Sequence, residues 1–175
     1  MAILNILKAP HPILSKKASI VPEEDFGPDL ERFVMDMVET MYDAPGVGLA
    51  APQVGRSQRI LVADPGNDEG KAPRKVYKMI NPSSIEHGKE KITYEESCLS
   101  VPAFYLKMKR FKRIHVQWQD AFGNIQKAWF EEFPAIVIQH ELDHLRGITL
   151  LDRSSAFKRS RYISKRKRSK KSSRS

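Results

Sequence analysis

Residues 140–144 read His140-Glu141-Leu142-Asp143-His144, an H-E-x-x-H sequence inside a stretch of helical periodicity. Four residues make about one turn of an α-helix, so the two imidazoles project from one face and can bind a single metal ion. Glu141 lies beside them, where a carboxylate can exchange protons with water at the metal. The spacing predicts a catalytic metal centre carried by a helix.

The predicted helix runs from residue 134 to about residue 146. Pro134 suits the first turn of a helix, and Gly147 suits the position just after its end. Ile136 and Val137 lie on faces that adjoin the motif. Because apolar and metal-binding positions share this side, we expect the helix to be buried with its metal-binding face inward.

The remaining chain predicts a second helix and several short strands. Apolar residues recur at helical spacing over 26–43, ahead of a loop of small residues at 45–55 and a polar turn at 65–74. Strand patterns occupy 59–64, 76–80, 91–94, 114–118 and 125–130.

A metal site of this kind needs a third protein ligand and an open position. The extended H-E-x-x-H-x-x-G-x-x-H pattern fails, because its last position is Leu150, and Asp152 is the one acidic residue that follows His144. Asp152 is a possible ligand but follows the helix too closely to be a strong one. Cys98, upstream of the helix, is chemically the strongest candidate.

Composition favours one globular domain. The chain has 175 residues, 41% of them hydrophobic, and a single cysteine, which excludes an internal disulfide. The N-terminus lacks the pattern of a signal peptide, so we expect a cytoplasmic location. Of the net charge of +9, residues 158–175 contribute ten Lys and Arg and no acid. We therefore divide the chain into a nearly neutral body, 1–157, and a basic C-terminal extension, 158–175, either helical or disordered.

Three motifs together resemble the peptide deformylase family. They read Gly46-Val47-Gly48-Leu49-Ala50-Ala51-x-Gln53, Glu96-x-Cys98-Leu99-Ser100 and Gln139-His140-Glu141-x-Asp143-His144-x-x-Gly147, in the order of the family. The resemblance covers about residues 3–165. It implies an α+β fold, with small and mostly antiparallel sheets packed around a central buried helix that carries the H-E-x-x-H motif.

The resemblance also implies an activity and a site. The activity is removal of the formyl group from formylmethionyl nascent peptides. The ligands would be Cys98, His140 and His144, holding one Fe(II) that zinc, nickel or cobalt could replace. Glu141 would be the base, with the Gln53 amide and the Leu99 N–H stabilising the oxyanion. Substrate would contact Val47, Gly48, Phe133, Ile136 and Val137.

One position departs from the family pattern, since Ser97 stands where glycine usually precedes the cysteine. If that position requires a positive φ, serine introduces strain that glycine would avoid. A second, smaller prediction concerns the same segment: Arg110 and Glu96 could pair and brace the cysteine.

The basic extension predicts affinity for phosphate backbones, and the implied nascent-chain substrate makes ribosomal RNA the sensible target. A monomer is expected, and truncation after Phe157 should weaken ribosome binding but leave peptide turnover nearly intact. Two other classes stay open from the residues alone. They are a metallopeptidase with the same His-Glu-His core, and an RNA-binding domain with a structural metal.

Overall fold

The structure is a computed structural model that describes residues 2–68 and 75–172. It is a mixed fold of seven strands, four α-helices and short 3-10 turns within these ranges. The helices are α1 (Pro28–Asp43), α2 (Phe133–Leu145), α3 (Leu150–Arg153) and α4 (Ala156–Ser172). The strands are β1 (Gly48–Ala50), β2 (Ile60–Ala63), β3 (Tyr77–His87), β4 (Lys91–Cys98), β5 (Val101–Phe111), β6 (Arg113–Gln119) and β7 (Ile125–Glu131).

The strands form two sheets in which every pairing is antiparallel. Five strands form one sheet in the order β1-β2-β3-β6-β7, and β4 pairs with β5 in a separate hairpin. The prediction of an α+β fold with small antiparallel sheets is therefore confirmed. Within the described ranges, none of the helices combines the length and the hydropathy of a transmembrane segment.

Helix α1 begins two residues later than predicted. Gly27 has φ 138° and Pro28 occupies the first helical turn, so the chain before Pro28 cannot join the helix. The apolar face of α1, including Leu30, Val34 and Met41, is buried. Burial of each such side chain contributes about 1.5–3 kcal/mol.

Helix α2 contacts β1, β2 and β7 of the larger sheet and β5 of the hairpin. Its residues from Ala135 to Ile138 and from His140 to Leu145 are buried. Gly147 ends the helix with φ 76°, and a Cβ there would lie 2.7 Å from the backbone of Ser15. Glycine is therefore required both by the left-handed turn and by the close chain crossing.

Four strands differ from the sequence prediction: β3 and β4 are longer than predicted, and β1 and β5 were not predicted as strands. β3 continues past Ile80 to His87, with irregular register between Ile80 and Ser83. β5 is missing from the prediction altogether. The polar turn predicted at 65–74 is a 3-10 turn at Pro65–Asp68 and otherwise lies outside the described residues.

Of the two predicted forms of the basic extension, the structure shows a helix, α4, which continues to Ser172. Residues 173–175 lie outside the described residues. Helix α4 is not detached from the body. Tyr162 and Ile163 pack against a buried cluster that contains Cys98 and Val101. Truncation after Phe157 would therefore remove packing from the cluster that contains Cys98.

Candidate metal centre and catalytic pocket

The structure brings Cys98, His140 and His144 together at the junction of α2 with the β4–β5 hairpin. One ligand atom from each of them lies within 4.8 Å of the others. The Cys98 Sγ atom is 3.3 Å from Nε2 of His144. Asp152 is not part of this group, because its carboxylate accepts a hydrogen bond from the Thr149 N–H at the start of α3.

Buried charged side chains hold His140 in orientation. Its Nδ1 atom lies 3.0 Å from Oε1 of Glu96, which leaves Nε2 to face the site. Glu96 in turn accepts two hydrogen bonds from Arg110, of 2.6 Å and 2.9 Å, so the predicted Arg110–Glu96 pair is confirmed. Carboxylates behind a metal-binding histidine typically fix its tautomer and ring orientation.

Asp143 connects the same network to α3. Arg110 donates to its Oδ2 at 3.0 Å, and Arg153 donates to its Oδ1 at 2.7 Å. The side chains of Arg110, Glu96 and Asp143 are at most 8% exposed. Two buried arginine–carboxylate pairs therefore tie the cysteine hairpin to the motif helix.

The three ligand candidates influence one another's protonation. Burial alone would raise the pKa of the Cys98 thiol, but the neighbouring His144 and His140 lower it well below its usual range. Burial would lower the pKa of His140, but hydrogen bonds to Cys98 and Glu96 raise it. The thiolate form of cysteine binds a metal, and a metal ion competes with the proton for the imidazole nitrogen. Binding of a metal ion should therefore release protons.

Glu141 lies beside the ligands in the pocket wall. It is 4% exposed, and burial raises the pKa of its carboxyl group above the ordinary range. Its Oε2 atom has no hydrogen-bond partner among the described residues. A Cβ on Gly48 would lie 2.5 Å from its Oε1, so any other residue at position 48 would displace this carboxylate.

Gln53 lies next to the Cys98–Val101 turn. The Gln53 side-chain oxygen accepts from the Ala50 N–H, which aims its amide nitrogen at Cys98 Sγ, 3.6 Å away, and at Ser100 Oγ, 3.1 Å away. Leu99 follows the cysteine directly and lines the pocket.

A cavity of about 480 Å³ opens onto this group. Its lining contains all the residues that the sequence proposed for substrate contact, namely Val47, Gly48, Phe133, Ile136 and Val137. It also contains residues that sequence reasoning missed: Lys8, Tyr94, Pro102, Ala103 and Tyr105.

Ser97 lines the same cavity from β4. Among the described residues other than glycine, only Asn81, Ala103 and Glu132 have a positive φ. The condition for strain at Ser97 is therefore not met, and serine fits this position without a backbone penalty.

Comparison with known proteins identifies the family of this chain. The sequence model described as polypeptide deformylase matches residues 3–160. The peptide deformylase of Zymomonas mobilis is 44% identical over 167 residues, which cover 94% of this chain and 93% of that protein. The chain belongs to the peptide deformylase family.

Solved deformylase structures agree with this fold. That of Ehrlichia chaffeensis in complex with actinonin superimposes with a TM-score of 0.87 at 38% identity, covering 97% of this chain and 98% of that one. The Met-Ala-Ser-bound class I type b deformylase of Acinetobacter baumannii gives 0.80 at 32% identity, covering 87% and 99%.

Peptide deformylases are metal-dependent hydrolases, and this chain carries a Cys-His-His group that could bind the ion. As a deformylase, it removes the formyl group from the N-terminal formylmethionine of nascent peptides and releases formate.

Proposed function

We propose that Cys98, His140 and His144 hold one divalent cation, with Fe(II) as the physiological ion, at the deformylation site. The observation that carries this proposal is the convergence of a thiol and two imidazoles beside the buried carboxylate of Glu141, whose Oε2 has no hydrogen-bond partner among the described residues. The soft sulfur and the imidazoles suit Fe(II), Zn(II), Ni(II) or Co(II). Such an ion, when bound, lowers the pKa of water and polarises a carbonyl oxygen.

Glu141 is the general base and acid of this proposal. Its raised pKa, caused first by burial, brings its proton affinity closer to neutral pH, where base catalysis is most effective. The carboxylate takes a proton from the attacking water and delivers it to the leaving amine. The Gln53 amide and the Leu99 N–H donate to the oxygen that becomes negatively charged, which stabilises the transition state.

The substrate's methionine side chain occupies the apolar part of the cavity, formed by Val47, Phe133, Ile136 and Val137. Gly48 and its neighbours in β1 present backbone to an extended peptide, which can pair with a strand edge. A formyl carbon bears only hydrogen beside its oxygen, so a cramped site accepts it and rejects larger acyl groups. The Met-Ala-Ser peptide bound to the Acinetobacter baumannii deformylase supports this class of substrate.

The identity of the ion can be tested by reloading metal-free protein. We expect the Fe(II) form to be active and to lose activity in air, because a thiolate-ligated Fe(II) is open to oxidation. The Ni(II) and Co(II) forms should be active and stable in air. Metal analysis should find about one ion per chain, and a Cys98→Ala variant should bind substantially less. A zinc form with full, air-stable activity would contradict the assignment of iron.

Helix α4 and residues 158–175 are proposed as a ribosome-contacting extension of a catalytic part formed by 1–157. Most of the basic side chains of α4 are exposed, and the surface of the body is nearly neutral by comparison.

We further propose that α2 is the central helix of the fold, as its burial and contacts support. One chain supplies the ligands, the base and the pocket wall, which supports a monomer that works in the cytoplasm, where ribosomes make its substrates.

The ribosome contact can be tested without removing α4. Replacing Lys165, Lys167 and Lys171 by glutamine should weaken ribosome binding. The slope of the logarithm of the binding constant against the logarithm of the salt concentration should become shallower by about 0.7–0.9 for each lost phosphate contact. The measurement is co-sedimentation with ribosomes over a salt series. Neutralising three exposed lysines of the body, Lys89, Lys107 and Lys127, is the matched control. Equal loss in both variants would reject a specific role for the extension.

A further inference from the structure

The β4–β5 hairpin contains a bulge that forms part of the pocket wall. Its register joins Glu96 to Leu106 and Cys98 to Val101. A single residue of β4, Ser97, thus faces residues 102–105 of β5, which have no ladder partner on β4. Pro102, Ala103 and Tyr105 from this segment line the catalytic cavity. Bulges of this kind re-aim side chains beside active sites.

The backbone of the bulge is strained at Ala103, which has φ 59°. Alanine in this region is held there only when surrounding contacts impose the conformation. The orientation of the Pro102–Ala103 peptide plane determines this angle. A flip of that plane would release the strain and turn the Pro102 carbonyl to a different direction.

Helix α4 holds this same peptide plane. The Tyr162 hydroxyl donates a 2.8 Å hydrogen bond to the Pro102 carbonyl oxygen. The Tyr162 ring meets Phe104 edge to face, with centroids 5.5 Å apart. Phe104 belongs to the cluster beneath α4, whereas Ala103 and Tyr105 lie in the cavity, so successive residues of β5 connect the helix to the pocket.

We propose that Tyr162 is a positioning residue for the deformylase site, because it holds the Pro102–Ala103 peptide in the orientation that shapes the pocket wall. The inference rests on the proposed function, since it takes this cavity as the peptide-binding site. It assigns to the basic C-terminal helix a contribution to catalysis that is separate from any contact with RNA.

The test is steady-state formate release from a formyl-methionyl tripeptide by the full-length, Ni(II)-loaded protein. Tyr162→Phe keeps the ring and removes the hydroxyl, so we expect KM to rise about three- to tenfold, the effect of one lost hydrogen bond, with kcat within about twofold. Ser164→Ala, an exposed change on the same helix, should leave both constants unchanged.

Two further variants separate positioning from general stability. Glycine adopts a positive φ freely, so in an Ala103→Gly background the Tyr162→Phe change should raise KM by less than about twofold. Ile163→Ala removes packing from the same face of α4 and should lower Tm without an equal rise in KM.

The proposal is overturned if Tyr162→Phe leaves KM within about twofold of wild type, or if its effect is the same in both backgrounds. It is also overturned if Ile163→Ala raises KM as much as Tyr162→Phe does, since the role of Tyr162 would then be structural. A wild-type chain that releases no formate would contradict the site assignment itself, and the inference with it.

Discussion

Replacing Glu141 by glutamine is expected to reduce kcat for formate release by about 10²–10⁴-fold, the usual contribution of a positioned general base. Glutamine matches the size of glutamate, so the close approach of Gly48 to this side chain is preserved. The amide cannot accept a proton from water at neutral pH. Because the three ligand candidates are unchanged, metal content should stay at the wild-type level.

Three measurements make this result specific: formate release, metal content and Tm. Glu90→Gln is the matched control, since that carboxylate is 78% exposed and is not part of the cavity lining. A Glu141→Gln variant that retains both its metal and more than about a tenth of the wild-type kcat would show that another group transfers the proton. Loss of metal together with activity would instead place Glu141 among the groups that hold the ion.

The motif helix could be predicted from sequence because its determinants are local. The spacing of His140 and His144, together with Pro134 and Gly147, predicts position, face and ends of α2 to within about a residue. The position of Cys98 beside His144 could not be predicted from local sequence, because it depends on the pairing of β4 with β5. Only the chemistry of the thiol and the family resemblance indicated Cys98 as a candidate ligand.

The elements and contacts that the sequence analysis did not predict depend on long-range contacts or on sequence patterns that indicate more than one structure. β5 alternates Leu106 and Met108 with Lys107 and Lys109, a strand pattern that was available in the sequence. β3 continues beyond the predicted residues 76–80: an Asn-Pro pair such as Asn81-Pro82 is typical of a turn, but here the chain passes through an irregular register and continues as a strand. The contact of α4 with Pro102 joins residues 60 positions apart, and no local pattern predicts it.

Replacing Arg110 by alanine is expected to lower the free energy of unfolding by about 3–5 kcal/mol at neutral pH, because removal of one partner leaves a buried charge uncompensated. Arg110 bridges Glu96 and Asp143, and Arg153 still pairs with Asp143 in its absence. Among the described residues, Glu96 would keep His140 as its side-chain partner. The measurement is chemical denaturation of the wild-type and variant proteins, with metal content read in parallel.

The pH dependence of this loss provides a second check. Burial would raise the pKa of Glu96, but hydrogen bonds from His140 and Arg110 outweigh it and lower the pKa. A lowered folded-state pKa stabilises the protein above the ordinary carboxyl range, and this contribution disappears as pH falls through the folded-state pKa. The variant should therefore approach the wild type in stability as pH falls below that range.

The exposed pair of Arg32 with Asp29 is the control, and Arg32→Ala should change stability by less than about 1 kcal/mol. A similarly small effect of Arg110→Ala would mean that the buried pairs do not brace the ligand hairpin.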